Sequence, residues 1–213
     1  MALSDGDGTG AATSTSAAPA PQIRSRRTAR CSACWLPSAL CICTYLPRLS
    51  TRTRVIIVMH RREAVTSTNT GRLAAQILDG AELRVRGRKD APEPPPLPEG
   101  RRLTLFPREG ARPLGPEDAG AVLLVPDGTW SQARRLVLRD DVLRAGEVVS
   151  LPDVAPSQYG LRRHAREGAL CTLEAVARAL GVLEGALIEA ALLTALARFV
   201  EHGKRARAGL ITP

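Results

Sequence analysis

Aromatic side chains are scarce, at 3 % of 213 residues. With so few, the placement of each is informative, and both tryptophans, Trp35 and Trp130, fall inside short motifs. Long apolar runs are also missing. The longest, residues 55–59 and 121–125, are strand length, well short of the ~20 residues needed to span a bilayer. The N-terminus lacks a basic start followed by an apolar stretch, which predicts no signal peptide, no membrane association and a cytoplasmic protein. Lysine is nearly absent: Lys89 and Lys204 are the two among 30 basic residues. A GC-rich coding bias accounts for arginine in place of lysine better than for the surplus over acids. Acids are missing altogether from residues 21–54, which hold Arg24, Arg26, Arg27, Arg30, Arg48, Arg52 and Arg54.

What is present points to a polyanion partner. The net charge of +9 and pI of about 10.3 favour nucleic acid. The length fits one domain of roughly 150–200 residues plus a tail. Residues 1–22 are Ala, Ser, Thr, Gly and Asp without periodicity, the composition of a disordered tail. A basic, cysteine-rich segment, 23–54, follows. From 55 to 204 strand and helix signals alternate, and 205–213 is a short tail.

Apolar β-branched runs predict buried strands at 54–59 and 121–125, with further strands at 82–85, 102–106 and 147–151. Helices are expected at 68–78, 130–138, 172–180 and 184–200, the last two split by Gly181. The final helix is apolar nearly all round, so it is buried or lies at an interface. A Pro-rich loop covers 87–100 and another loop 153–170. Apolar strands alternating with helices imply an α/β fold, a mostly parallel sheet with helices on both faces. Ligands of such sheets bind at the carboxyl ends of strands, which singles out the loops after Met59 and Val125.

Cys31, Cys34, Cys41 and Cys43 form C-x2-C-x6-C-x-C. Four thiolates within thirteen residues can close a tetrahedron around Zn²⁺, and a four-sulfur site leaves no open position, so the reading is a structural zinc knob. An iron–sulfur cluster is the alternative metal reading. Free or buried thiols do not explain why cysteine is otherwise confined to Cys171.

After the first strand come His60-Arg61-Arg62-Glu63 and then Ser67-Thr68-Asn69-Thr70-Gly71-Arg72-Leu73. A polar run before an apolar-periodic segment marks a helix start, whose free N–H groups suit a carboxylate or phosphate. After the next buried strand comes Asp127-Gly128-Thr129-Trp130-Ser131-Gln132-Ala133. On position alone Asp127 is a helix cap or a functional carboxylate. Thr172-Leu173-Glu174-Ala175 forms a third loop-to-helix block. Arg162, Arg163 and Arg166 precede it and suit phosphates or solvent equally.

Together these blocks resemble the DTW-domain family from about residue 30 to about 180. The resemblance rests on the cysteine cluster, His60 to Leu73, Asp127 to Ala133 and Thr172 to Ala175, in that order. It implies a SPOUT-like, trefoil-knotted α/β fold. It also implies transfer of a 3-amino-3-carboxypropyl group from S-adenosylmethionine to N3 of a tRNA uridine, with release of methylthioadenosine. The family's motif carries over to Asp127, Thr129 and Trp130 as catalytic residues. Thr68, Asn69, Thr70, Gly128, Thr129, Trp130 and Thr172 are the expected cofactor contacts. One departure is Cys171, where serine is expected; a serine would form a capping box with Glu174.

Asp127 is then either the base for the N3 proton or a group that orients the uracil. His60 and Glu63 contact ligand or buttress their loop. The arginines of the zinc knob are expected to grip tRNA phosphates. Two rival functions stay open: a knotted RNA methyltransferase and a non-catalytic zinc-ribbon RNA-binding protein. The oligomeric state is monomer or homodimer.

Overall fold

The computed structural model describes residues 29–87, 93–152, 156–157, 159–161 and 169–210. The expected tail, Arg24, Arg26, Arg27, Arg162, Arg163 and Arg166 lie outside these.

Six strands form one sheet: β1 (Arg54–His60), β2 (Glu82–Arg86), β3 (Arg102–Leu105), β4 (Arg112–Pro113), β5 (Val122–Asp127) and β6 (Glu147–Ser150). Their order is β2-β1-β5-β3-β6-β4, and every pairing is parallel. The helices are α1 (Gly71–Ile77), α2 (Trp130–Arg139), α3 (Asp141–Arg144), α4 (Thr172–Glu184) and α5 (Ala186–Arg207). The two-residue β4 and the single-turn α3 are too short to leave a periodic signal.

The sheet is covered on both faces, as continuous apolar strands require. Val55 and Ile57 of β1 pack with Leu123 and Val125 of β5 against α1, α4 and α5. Ile56 and Val58 pack with Val122 and Leu124 against Ala133 and Val137 of α2 and Leu143 of α3. The helices that follow the adjacent strands β1 and β5 therefore lie on opposite faces, and their departure opens a crevice at the strand ends. Pairing of β5 with β3 stops at Leu124, whereas pairing with β1 continues to Asp127. The last residues of β5 are thus open on one side.

Three expectations need correction. Helix α1 starts at Gly71, not at residue 68, because the preceding polar residues are bonded elsewhere. Gly181 does not split the C-terminal helices: α4 runs through it to Glu184 and the chain turns at Gly185, φ +106°. Gly181 lies against α5 instead, where a Cβ would stand 3.1 Å from Glu189 Cβ. Helix α5 buries one face only, which corrects the first of its two readings, burial all round, and leaves the interface. Leu192, Leu196, Phe199 and Val200 face the core, while Leu187 is 87 % exposed and the other outward positions include Ala190 and Ala197. It also continues through residues 205–207 of the expected tail.

The cysteine segment is not a separate body. Cys34, Leu36 and Ile42 share a core with Leu73, Ala74 and Ile77 of α1. No described helix is long and apolar enough to cross a membrane.

Candidate active site and metal centre

Asp127 ends β5 with no solvent exposure. A buried carboxylate must find donors, and they come from two distant segments. Asn69 Nδ2 donates to Oδ2 at 2.6 Å, and Thr172 Oγ1 donates to Oδ1 at 2.5 Å. Asn69 is itself buried. Its Oδ1 accepts from Arg72 N at 2.9 Å, which caps α1, and its Nδ2 lies 3.4 Å from Oε2 of buried Glu63. Gly71 makes this possible: a Cβ there would stand 2.6 Å from Asp127 Oδ2.

The same loops are tied a second time. Leu173 N donates to Thr70 Oγ1 at 3.3 Å, and the Tyr159 hydroxyl donates to the Thr68 carbonyl at 2.5 Å. Glu174 accepts from Cys171 N at 2.8 Å and from Ser157 Oγ at 2.7 Å. The Glu174 half of a capping box therefore forms although residue 171 is cysteine. Burial, reinforced by the Glu174 charge, pushes the Cys171 thiol up to about 12.

Of the residues singled out in the sequence, Asn69, Thr70, Asp127 and Thr172 come together in this cluster, and Thr68 flanks it. Thr129 and Trp130 follow Asp127 in the chain, at the start of α2 on the other face of the sheet. Thr129 is the N-cap of α2: its N donates to Gln132 Oε1 at 2.8 Å and its hydroxyl accepts from Gln132 N at 3.4 Å. Gly128 fits tightly beneath, since a Cβ would lie 2.9 Å from Gln132 Cβ. Trp130 is 41 % exposed and stacks on Phe106, ring centroids 5.2 Å apart. His60 stays outside the cluster; its Nδ1 accepts from Arg62 N at 3.3 Å. Sequence reasoning missed Phe106, Ser157 and the steric role of Gly71. Only Gly71, placed between Thr70 and Arg72 inside a motif, carried a signal.

The four cysteine sulfurs lie within 4.8 Å of one another. The Cys31–Cys43 and Cys34–Cys41 pairs are 3.7 and 3.9 Å apart. Sulfurs about 2.3 Å from a central Zn²⁺ in a tetrahedron would be about 3.8 Å apart, so the residues fit that ion. Burial pushes the Cys31 thiol up, but hydrogen bonds from backbone Cys34 and Ala33 and from the neighbouring thiols outweigh it and bring the value to about 6. Trp35, in the same knuckle, is the non-glycine residue with positive φ (62°) among the described residues.

The knob is fastened to the helix that leaves the site. Gln76 Nε2 donates to the Ala33 carbonyl at 2.8 Å. The Arg72 guanidinium lies 4.6 Å from the Trp35 ring centroid and donates to the Ala64 carbonyl at 2.5 Å. The knob's own arginines are less available than their sequence suggests. Arg48, Arg52 and Arg54 approach Asp79, Glu184 and Glu82 at 3.7, 3.6 and 3.9 Å.

Comparison with known proteins finds relatives over most of the chain. The chain is 30 % identical to tRNA-uridine aminocarboxypropyltransferase 2 of Macaca fascicularis, over 75 % of this chain and 58 % of that protein. It is 30 % identical to the Mus musculus protein of the same name, over 86 % and 67 %. It is 28 % identical to tRNA-uridine aminocarboxypropyltransferase A of Arabidopsis thaliana, over 80 % and 79 %. It thus spans little more than half the length of the macaque relative. A solved SAM-dependent rRNA:acp-transferase, Tsr3 from Vulcanisaeta distributa, aligns with a TM-score of 0.49 at 20 % identity, over 74 % of this chain and 84 % of that one. The family model of the DTW domain matches residues 28–204. That span takes in the cysteine knob, both strand-end loops and the start of α4, and the chain belongs to the DTW domain family.

Proposed function

We propose that this chain transfers the 3-amino-3-carboxypropyl group of S-adenosylmethionine to N3 of a uridine in tRNA, releasing methylthioadenosine. The names of its relatives support the reaction class. The observation that carries the reading is the buried Asp127, joined to Asn69 and Thr172 at the carboxyl end of β5, three residues before the half-exposed Trp130.

S-adenosylmethionine supplies a carbon already activated by its sulfonium: the N3–C bond forms, the C–S bond breaks with its electron pair kept on sulfur, and the N3 proton is lost. The protein's task is orientation and one proton. Asp127 holds loop 66–70 and the start of α4 in register, so both present their polar groups to the crevice. Trp130, backed by Phe106, stacks a heterocycle. Glu63 buttresses Asn69. Cys31, Cys34, Cys41 and Cys43 hold a structural Zn²⁺, which closes the knob and supplies no chemistry to the reaction. The reading includes a SPOUT-like trefoil knot, supported by the return of α4 to the ends of β1 and β5, where Thr172 and Leu173 bond to Asp127 and Thr70.

The test is mass spectrometry of nucleosides from unmodified tRNA incubated with the protein and S-adenosylmethionine. Aminocarboxypropyl-uridine with methylthioadenosine is expected. A methylated nucleoside with S-adenosylhomocysteine would assign a methyltransferase instead. No product across a full set of unmodified tRNAs would leave RNA binding as the function.

A further inference from the structure

Exposed cations without an ion pair also stand outside the segment where the sequence clusters them. While Arg48, Arg52 and Arg54 each approach an acid, Arg61, Arg62, Arg135 and Arg139 are exposed and make no ion pair with a described carboxylate. Arg135 and Arg139, four apart, share one face of α2. They line a cleft of about 230 Å³ with His60, Gln132, Leu136 and Asp140.

The acceptors in this cleft are already engaged. Gln132 Oε1 accepts from Thr129 N at 2.8 Å, and His60 Nδ1 accepts from Arg62 N at 3.3 Å. Asp140 Oδ1 accepts from Val142 N and Leu143 N at 3.1 and 3.4 Å, and its Oδ2 lies 2.7 Å from Arg86 Nε. The groups left for a ligand are donors: two guanidinium groups, the Gln132 amide NH₂ and the His60 Nε2–H. With Nδ1 used as acceptor, Nε2 carries the proton of a neutral ring. Burial, then the charges of Arg62 and Arg61, holds the His60 pKa below its ordinary value, in keeping with that tautomer. A cleft of donors with an excess of positive charge takes an anion.

The cleft lies at the same strand ends as the candidate site, on the α2 face of the sheet. His60 follows Met59, whose register partner is Asp127, and Gln132 caps the helix that begins after Thr129. We propose that the cleft formed by His60, Gln132, Arg135 and Arg139 binds a backbone phosphate of the RNA substrate, beside the nucleotide whose base enters the site. The inference rests on the RNA-modifying reading above. A phosphate suits the cleft better than the carboxylate of S-adenosylmethionine, because exposed guanidinium groups on an open helix face fit a chain that passes over the surface.

Binding of a tRNA transcript is measured by fluorescence anisotropy across a salt series, and S-adenosylmethionine binding by calorimetry, on the full chain. Both arginines are solvent-exposed, so Arg135→Gln/Arg139→Gln keeps the fold, which circular dichroism checks. RNA affinity is expected to fall roughly tenfold per arginine. The log–log salt slope should shrink by about two, with S-adenosylmethionine affinity unchanged. Arg52→Gln/Arg54→Gln removes the same charge from the opposite end of β1, at positions paired with acids, and should bind RNA like the wild type. The proposal is overturned if the cleft variant keeps its affinity and slope, or if the control loses as much. Weakened S-adenosylmethionine binding with intact RNA binding would assign the cleft to the co-substrate's carboxylate. If the wild type makes no aminocarboxypropyl-uridine but the cleft variant still loses RNA, the proposed reaction fails and the cleft stands.

Discussion

Both oxygens of Asp127 already accept a short hydrogen bond, one from Asn69 and one from Thr172. A buried carboxylate compensated in this way acts first on its own surroundings: it locks two loops that are 58 and 45 residues away in sequence. This favours an orienting role over that of a free base. Asp127→Asn tests it, because the amide has one acceptor oxygen where the carboxylate has two: it either turns a donor toward Asn69 Nδ2 or forces the Thr172 hydroxyl to turn round and accept. The mismatch should cost about 1–3 kcal/mol, which at about 2–4 °C per kcal/mol lowers the melting temperature visibly. We expect that drop together with loss of product. An unchanged melting temperature with activity abolished would instead make Asp127 a base alone.

At the scale of elements, the knob and α1 form a unit. Cys34, Leu36, Leu40 and Ile42 are buried, and Gln76 and Arg72 of α1 hold the knuckle backbone and the Trp35 ring. Zinc bound by the four cysteines would therefore stabilise α1 and, through Arg72 N and Asn69 Oδ1, the residues around Asp127. Elemental analysis should find one zinc per chain. Cys34→Ser should lose it and lower the melting temperature by about 5 °C or more. A metal-free wild type that melts as high as a zinc-loaded sample would show that the knob stands without the ion.

For the whole molecule, ionisable groups set a pH window. Hydrogen bonds from Arg112 hold the Asp118 carboxyl below its ordinary value. Burial pushes Glu184 up, but Thr53 and Arg52 more than offset it, so its pKa is also lowered. A carboxylate with a lowered folded pKa stabilises the fold above its unfolded value and loses that contribution as pH falls through the folded one. His60 acts in the same direction from a higher pH. Its folded pKa lies below 6.5, so the unfolded ring takes a proton that the folded ring refuses. The urea midpoint should therefore decline in two steps on acidification, from about pH 6.5 and again below about pH 4. His60→Gln should remove the upper step; a midpoint that rises between pH 7 and 5 contradicts the sign.

The apolar runs of β1 and β5 were enough to infer a covered parallel sheet, because strands buried on both faces need no alternation. The cysteine spacing was enough to infer that four sulfurs meet, because distance along so short a chain limits distance in space. The start of α1 and the join between α4 and α5 were misjudged, since a polar run can bond to distant partners and a glycine can serve helix contact as well as termination. Tertiary structure alone decided that Thr172 meets Asp127, that Phe106 backs Trp130 and that Gly71 clears a space for a carboxylate. It also decided where the usable positive charge lies. A segment without acids looks cationic as a string, but Asp79, Glu82 and Glu184 fold back against three of its arginines. Composition sets the total charge; only the packing of distant residues sets which cations remain to meet a ligand.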